Sequence, residues 1–260
     1  MKKLLGILVA ALLVAGFAGQ SFANFSDTHL IRVVYDLNSA IEVATDLGIV
    51  GPNGKINGAT ATNLIAGAGG KFNLADLGAS SFSELKVAYL AMDRSAAQDG
   101  WISGTSARTS ASLKWSVFNS GLGLVYSGHG GSGQTDTALG NIKTAGVNSY
   151  YIKLDANAAG AEGTFAGFIP SAVRAGSEMV LTPLAATGGF VDQQLYFYNT
   201  PNSAALGVQV DSLRTVSYLD NGVLKGETII NYRAVPVPAS LFLLAPGLLG
   251  LVGLRRRVMR

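Results

Sequence analysis

Two histidines, no cysteines and 16 scattered acids set the chemistry open to this chain of 260 residues. His129 lies in the run Gly128-His129-Gly130-Gly131-Ser132-Gly133. The backbone N–H groups of such a run can hold an oxyanion, as acyl-transfer hydrolysis requires. That chemistry also needs a nucleophile elbow, Gly-x-Ser-x-Gly between a strand and a helix, and the sequence has none. Without thiolates, a cysteine nucleophile and a disulfide scaffold are excluded, and His29 with His129 cannot complete a common zinc site. The run is therefore read as a flexible glycine-rich loop with an incidental imidazole. Asp36-Leu37-Asn38 and Asp220-Asn221 come nearest to clustered oxygen ligands for calcium, but neither has EF-hand spacing, and acids at such places form turns. Paired carboxylates for glycoside hydrolysis meet in space rather than in sequence, and no local cluster points to them. No catalytic residue, cofactor or metal ligand is assigned.

Aromatic residues offer a second kind of chemistry. Trp101, Trp115, Tyr150, Tyr151, Tyr196, Phe197 and Tyr198 could stack sugar rings. The same residues also serve as core and cross-strand pairs, and that is the reading preferred.

The elements that would position these residues are short and mostly β-like. Residues 29–35 (HLIRVVY) are apolar and β-branched. Residues 41–47 alternate, with Ile41, Val43 and Thr45 on one face, and residues 84–92 place Leu85, Val87, Tyr89 and Ala91 together. Further strands are expected at 113–118, 122–126, 150–154, 163–169, 195–198, 205–210, 215–219, 222–225 and 227–232. Asp220-Asn221-Gly222 between two β runs predicts a tight hairpin, and Gly51-Pro52-Asn53-Gly54 another turn. Helices are expected at 73–78, 105–113 and 136–145, the last capped by Thr135 or Asp136. Period-2 segments broken by Gly, Asn, Asp and Ser predict a mainly β fold: a single sandwich or jelly-roll-like domain over residues 24–233, with a few short helices.

Composition narrows the class. Charged residues are 13% of the chain and the mean hydropathy is +0.33, the reverse of a disordered chain. The formal charge of +3 is misleading until it is divided. Six of the 19 basic residues are Lys2, Lys3, Arg255, Arg256, Arg257 and Arg260. The other 13 share residues 24–233 with all 16 acids, so the body carries −3. The basicity belongs to the ends, and nucleic-acid binding is discarded.

Both ends read as addresses. Residues 1–23 (MKKLLGILVAALLVAGFAGQSFA) place two lysines before an apolar run and end in Ser21-Phe22-Ala23, the layout of a secretory signal helix cleaved after Ala23. Residues 234–254 carry no charge. As a helix they would span ~31 Å, enough for a hydrocarbon core of ~30 Å. Pro246 and the nearby glycines are tolerable in a membrane helix. The Arg255-Arg256-Arg257 cluster would hold the tail on the cytoplasmic side, leaving the body outside.

This tail resembles the PEP-CTERM sorting signal. The matching residues are Val235, Pro236, Val237, Pro238 and Ala239, then the apolar run to Leu254, then Arg255, Arg256 and Arg257. Val237 stands where the common motif has Glu, a departure that points to variant sorting enzymes. The resemblance covers about a tenth of the chain. It implies recognition by an exosortase-type membrane enzyme in a Gram-negative bacterium. It also implies a place at the cell surface or in an extracellular matrix made with exopolysaccharide. Two prolines keep 235–238 extended, a form that a protease-like cleft can thread. The expected role is a non-enzymatic surface or matrix structural protein; the alternatives are a polysaccharide-binding module and a secreted hydrolase.

Overall fold

A computed structural model describes residues 25–36, 38–51, 56, 64–65, 70–93, 99–105, 115–129, 137–141, 148–151, 178–198 and 207–232. The leader with Ala23, the motif Val235 to Ala239, the Arg255-Arg256-Arg257 cluster, the strand at 163–169 and almost all of the helix at 105–113 lie outside the described residues. Among the described residues, no helix is long and apolar enough to cross a membrane.

The fold is mainly β. The strands are β1 (His29–Asp36), β2 (Ile41–Ile49), β3 (Leu64–Ile65), β4 (Lys71–Asn73), β5 (Leu85–Met92) and β6 (Gly100–Gly104). They continue with β7 (Thr137–Asn141), β8 (Met179–Val180), β9 (Phe190–Tyr198), β10 (Val208–Asp220) and β11 (Val223–Ile230). They form one antiparallel sheet in the order β3-β11-β10-β9-β6-β5-β1-β2-β7, with β4 also on β11 and β8 also on β5. One α-helix, α1 (Trp115–Gly128), and short 3-10 turns complete the described part.

The sheet curls. β11 and β1 are five strands apart in pairing order, which in a flat sheet would separate them by ~24 Å. Yet Arg32 Nη1 on β1 lies 3.0 Å from Thr228 Oγ1 on β11. The sheet therefore has a concave face, and a second face that α1 covers. Apolar residues fill both. On the helix side Ile31, Val33 and Tyr35 pack with Leu90, Ile102, Tyr196 and Tyr198 beneath Leu122, Val125 and Tyr126. On the concave side Leu30 and Val34 pack with Val87, Tyr89, Trp101, Leu195, Leu213 and Ile230. β1 is buried on both faces along nearly its whole length, which explains its almost unbroken apolar sequence.

The hairpin is as expected. Asp220 pairs with Val223, and Asn221 and Gly222 take φ of 51° and 79°, the two positive values a primed two-residue turn demands. The β1–β2 turn is held by the Asp36 carboxylate, which accepts the N–H groups of Asn38 and Ser39 at 2.9 Å each.

Four expected segments are corrected. The segments read as strands at 113–118 and 122–126 fall largely in α1. Leu122, Val125, Tyr126 and His129 recur at helical spacing, and all are buried. Residues 150–151 lie in a helical turn rather than opening a strand. The helix expected at 136–145 contains β7 instead, which pairs with Ile41–Thr45 of β2. There the open edge of a neighbouring strand overrides local helix preference.

Register defines the two ends of the sheet. His29 pairs with Ile49, Ile31 with Leu90, Met92 with Gly100, Gly100 with Tyr198 and Val208 with Phe197. One end of the sheet thus collects the start of β1, the end of β2 and the start of β10. The β10–β11 hairpin tip lies at the other end.

Candidate functional site

The densest polar chemistry lies under α1, on a row of neighbouring strands. Lys86, Tyr35 and Glu42 face one another across β5, β1 and β2. Glu42 is fully buried. Its Oε1 lies 2.5 Å from His129 Nε2 and accepts the Tyr150 N–H at 2.7 Å, while Oε2 accepts the Tyr151 N–H at 2.8 Å. A second acid, Glu178, sits just before β8. It accepts the Tyr35 hydroxyl at 2.9 Å and the Tyr150 hydroxyl at 2.6 Å, and Lys86 Nζ stands 3.9 Å away. Tyr150 therefore joins the two carboxylates, one through its amide and one through its phenol.

A buried carboxylate needs such donors, because leaving it unmatched costs several kcal/mol. The consequence is mechanical: segment 148–151 and the end of α1 are tied to the sheet. Glu42 with His129 is also the carboxylate–imidazole half of a hydrolytic triad. The other ring nitrogen, Nδ1, is buried, and among the described residues no hydroxyl nucleophile sits on it. The Phe25 ring centroid lies 6.2 Å from that of the imidazole.

The concave face holds a second cluster. Thr45, Arg32 and Tyr89 are cross-strand neighbours on β2, β1 and β5, and Thr215 faces Thr228 on β10 and β11. The curl brings the two rows into contact. The Tyr89 hydroxyl bonds Thr215 at 2.6 Å and Thr228 at 2.9 Å. The Arg32 guanidinium donates to Thr228, to Thr45 and to the carbonyls of Gly70 and Lys71, and lies 4.7 Å over the Phe72 ring. Burial pulls the Arg32 pKa down to about 10, with Tyr89 opposing. Burial also pushes the Tyr89 phenol above its ordinary value, with Arg32 and the two threonines opposing.

A third group lies on the outer surface. The Arg214 guanidinium is sandwiched between the rings of Phe190 at 3.6 Å and Tyr232 at 3.5 Å. Its edge makes two 2.6 Å bonds to Asp192, and this carboxylate raises the Arg214 pKa. Both faces and one edge of the cation are occupied, so the group fastens the last described residue, Tyr232, to β10.

The residues singled out from sequence fare unevenly. His129 is no loose loop residue: it is fully buried and bonded to Glu42, because α1 carries it into the core. His29 Nδ1 meets Asp46 at 2.6 Å. Asp36 holds a turn, and Asp220 pairs with Lys225 at 2.7 Å. Trp101, Tyr150, Tyr196 and Tyr198 are buried, with Tyr151 and Phe197 packed beside them, as the core reading expects. Trp115 lies at the start of α1. Among the described residues no set of three or more His, Asp or Glu could hold a metal ion.

Sequence reasoning did not find Glu42, Glu178, Arg32 or Arg214. Arg32 carried a signal, as the lone cation in an unbroken apolar run. The Glu42–His129 pair spans 87 positions, and Glu178 meets Tyr35 across 143. Set against known protein families, curated proteins and solved structures, the chain matches none.

Proposed function

We propose that the chain is an exported, non-enzymatic surface or matrix structural protein that carries a C-terminal sorting signal. In this reading residues 1–23 form a signal helix removed after Ala23. Residues 234–260 present the extended motif Val235 to Ala239 to an exosortase-type enzyme, with a membrane helix and the Arg255-Arg256-Arg257 cluster behind it. The body between them is sandwich-like, its two layers being the halves of one curled sheet. Its wider partners are the cell envelope and the surrounding exopolysaccharide.

The observation that carries this reading is the sequence of the tail: an extended Pro-containing motif, a charge-free run long enough to cross a bilayer, and three arginines in succession. The body adds weaker support. Glu42 and Glu178 make buried bonds that hold distant elements together, the use of acids that a structural body requires. The aromatic rings that could have stacked sugars directly, Trp101, Tyr196 and Tyr198, are in the core, so polysaccharide binding gains nothing from them.

The test is deletion of residues 234–260 followed by fractionation of cells. Loss of the protein from the envelope into the medium or periplasm is the expected result; an unchanged distribution overturns the reading. Mass spectrometry of the mature surface protein should end between Pro236 and Ala239, and an intact Arg260 there would refute processing.

A further inference from the structure

Resting on that reading, we infer that residues 25–28 are a closing strap that withdraws the leader's cleavage position from the signal peptidase. N-terminal processing then has to come before the last step of folding.

The argument begins with what a peptidase needs. A protease cleft takes its substrate as an extended strand, with backbone N–H and C=O groups free to pair with the walls. Cutting after Ala23 requires Asn24 and Phe25 to lie in the cleft, as the residues next beyond the scissile bond. In the folded body Phe25 is not free to do so. It is 1% exposed, and its N–H donates to the Tyr126 carbonyl at 2.9 Å. Its ring meets Tyr126 edge-on with centroids 6.0 Å apart and is tilted against His129 at 6.2 Å. The last turn of α1 thus stands where a wall of the cleft would have to stand. Asn24 alone separates Phe25 from Ala23. One residue of extended chain is ~3.5 Å, too short to carry the scissile bond clear of the helix.

The rest of the strap is tied to both neighbours of β1. Thr28 donates its N–H to the Met92 carbonyl, at the end of β5, at 2.8 Å. Its own carbonyl accepts the N–H of Val50, just past β2, at 2.6 Å. The Tyr126 hydroxyl donates to the His29 carbonyl. These bonds hold Thr28 at φ of 63°, a left-handed conformation that a β-branched residue adopts only at a cost. Burial of the Phe25 side chain offsets that strain. One aromatic ring therefore holds the strap shut, and one backbone angle works to open it.

The full chain, leader included, is purified folded in detergent and incubated with bacterial signal peptidase. Mass spectrometry reads the rate at which a product beginning at Asn24 is released. Tyr126→Ala removes the ring on which Phe25 packs and leaves residues 1–28 unchanged, so the cleavage sequence is intact. Opening the strap exposes a Phe side chain, so the folded parent should be cut about 30-fold more slowly than Tyr126→Ala. Because loss of Tyr126 also weakens the core, a second variant acts in the opposite direction. Asn enters the left-handed region more readily than Thr, so Thr28→Asn should tighten the strap and slow cleavage about threefold further.

The outcomes separate the two claims. A parent cut as fast as Tyr126→Ala, or a Thr28→Asn chain cut no more slowly than its parent, overturns the strap and leaves the sorting reading standing. No cleavage after Ala23 in Tyr126→Ala overturns the leader reading, and the strap's role falls with it.

Discussion

Replacing Gly226 by alanine tests the packing of the concave face at its tightest point. A Cβ built on Gly226 would meet three atoms of the Phe72 ring at 2.3, 2.6 and 2.8 Å. Ordinary carbon–carbon contact is ~3.5–4.0 Å, so the ring must withdraw by about 1.2 Å. It has little room to do so. Phe82 packs against it edge-on with centroids 6.0 Å apart, and the Arg32 guanidinium lies 4.7 Å from its centroid. Overpacking of this kind costs ~1–3 kcal/mol, and the crowded neighbours place Gly226→Ala at about 2–3 kcal/mol. For a body of this size that is a fall of ~4–12 °C in Tm. Urea denaturation should show a lower midpoint at unchanged slope. Phe72→Leu makes the space the methyl needs, so the double variant should be more stable than the sum of the two losses, by ~1 kcal/mol. A Gly226→Ala protein within ~0.5 kcal/mol of its parent, or strictly additive losses, would refute the account.

Other expectations follow from the same geometry. Glu42→Gln turns an acceptor of three bonds into a group that is half donor, and should lower stability by ~3 kcal/mol in thermal unfolding. Tyr89 has a phenol pKa raised in the folded state, so the folded protein holds a proton that the unfolded chain releases above its ordinary value of 10.0. Its contribution is present below that pH and is lost as pH rises beyond it. Tyr89→Phe should therefore be less stable at neutral pH by ~1–3 kcal/mol, and the gap should narrow in alkaline denaturation curves. Gly222 has φ of +79° with open space around its Cβ position. Gly222→Ala should cost ~1 kcal/mol through the backbone alone, read as a small fall in Tm without change in the core's near-ultraviolet signal.

Sequence patterning reached as far as its signals were local. β1, β2, β5 and the β10–β11 hairpin were legible because alternation and Asn-Gly are written within a few residues. α1 was missed because Gly121, Gly123 and Gly128 dilute its pattern, although Leu122, Val125, Tyr126 and His129 keep the helical interval. β7 was missed because the edge of β2 recruits it. Glu42 sits at an alternating position that reads as the solvent side of β2. Only the arrival of α1 and residues 148–151 from far along the chain makes that position interior. Arg32 likewise becomes intelligible only once β11 has come round to face it.

Most barrels are sealed by a continuous ladder of backbone bonds between first and last strands. Here a side chain from β1, two strands in from β7, reaches across the concave face to Thr228 and to the carbonyls of Gly70 and Lys71, so a clasp closes the curl. A clasp can open where a weld cannot. Amide exchange in β4 and β11 should accelerate when Arg32 is shortened to lysine, while the interior of β1 and β5 stays protected.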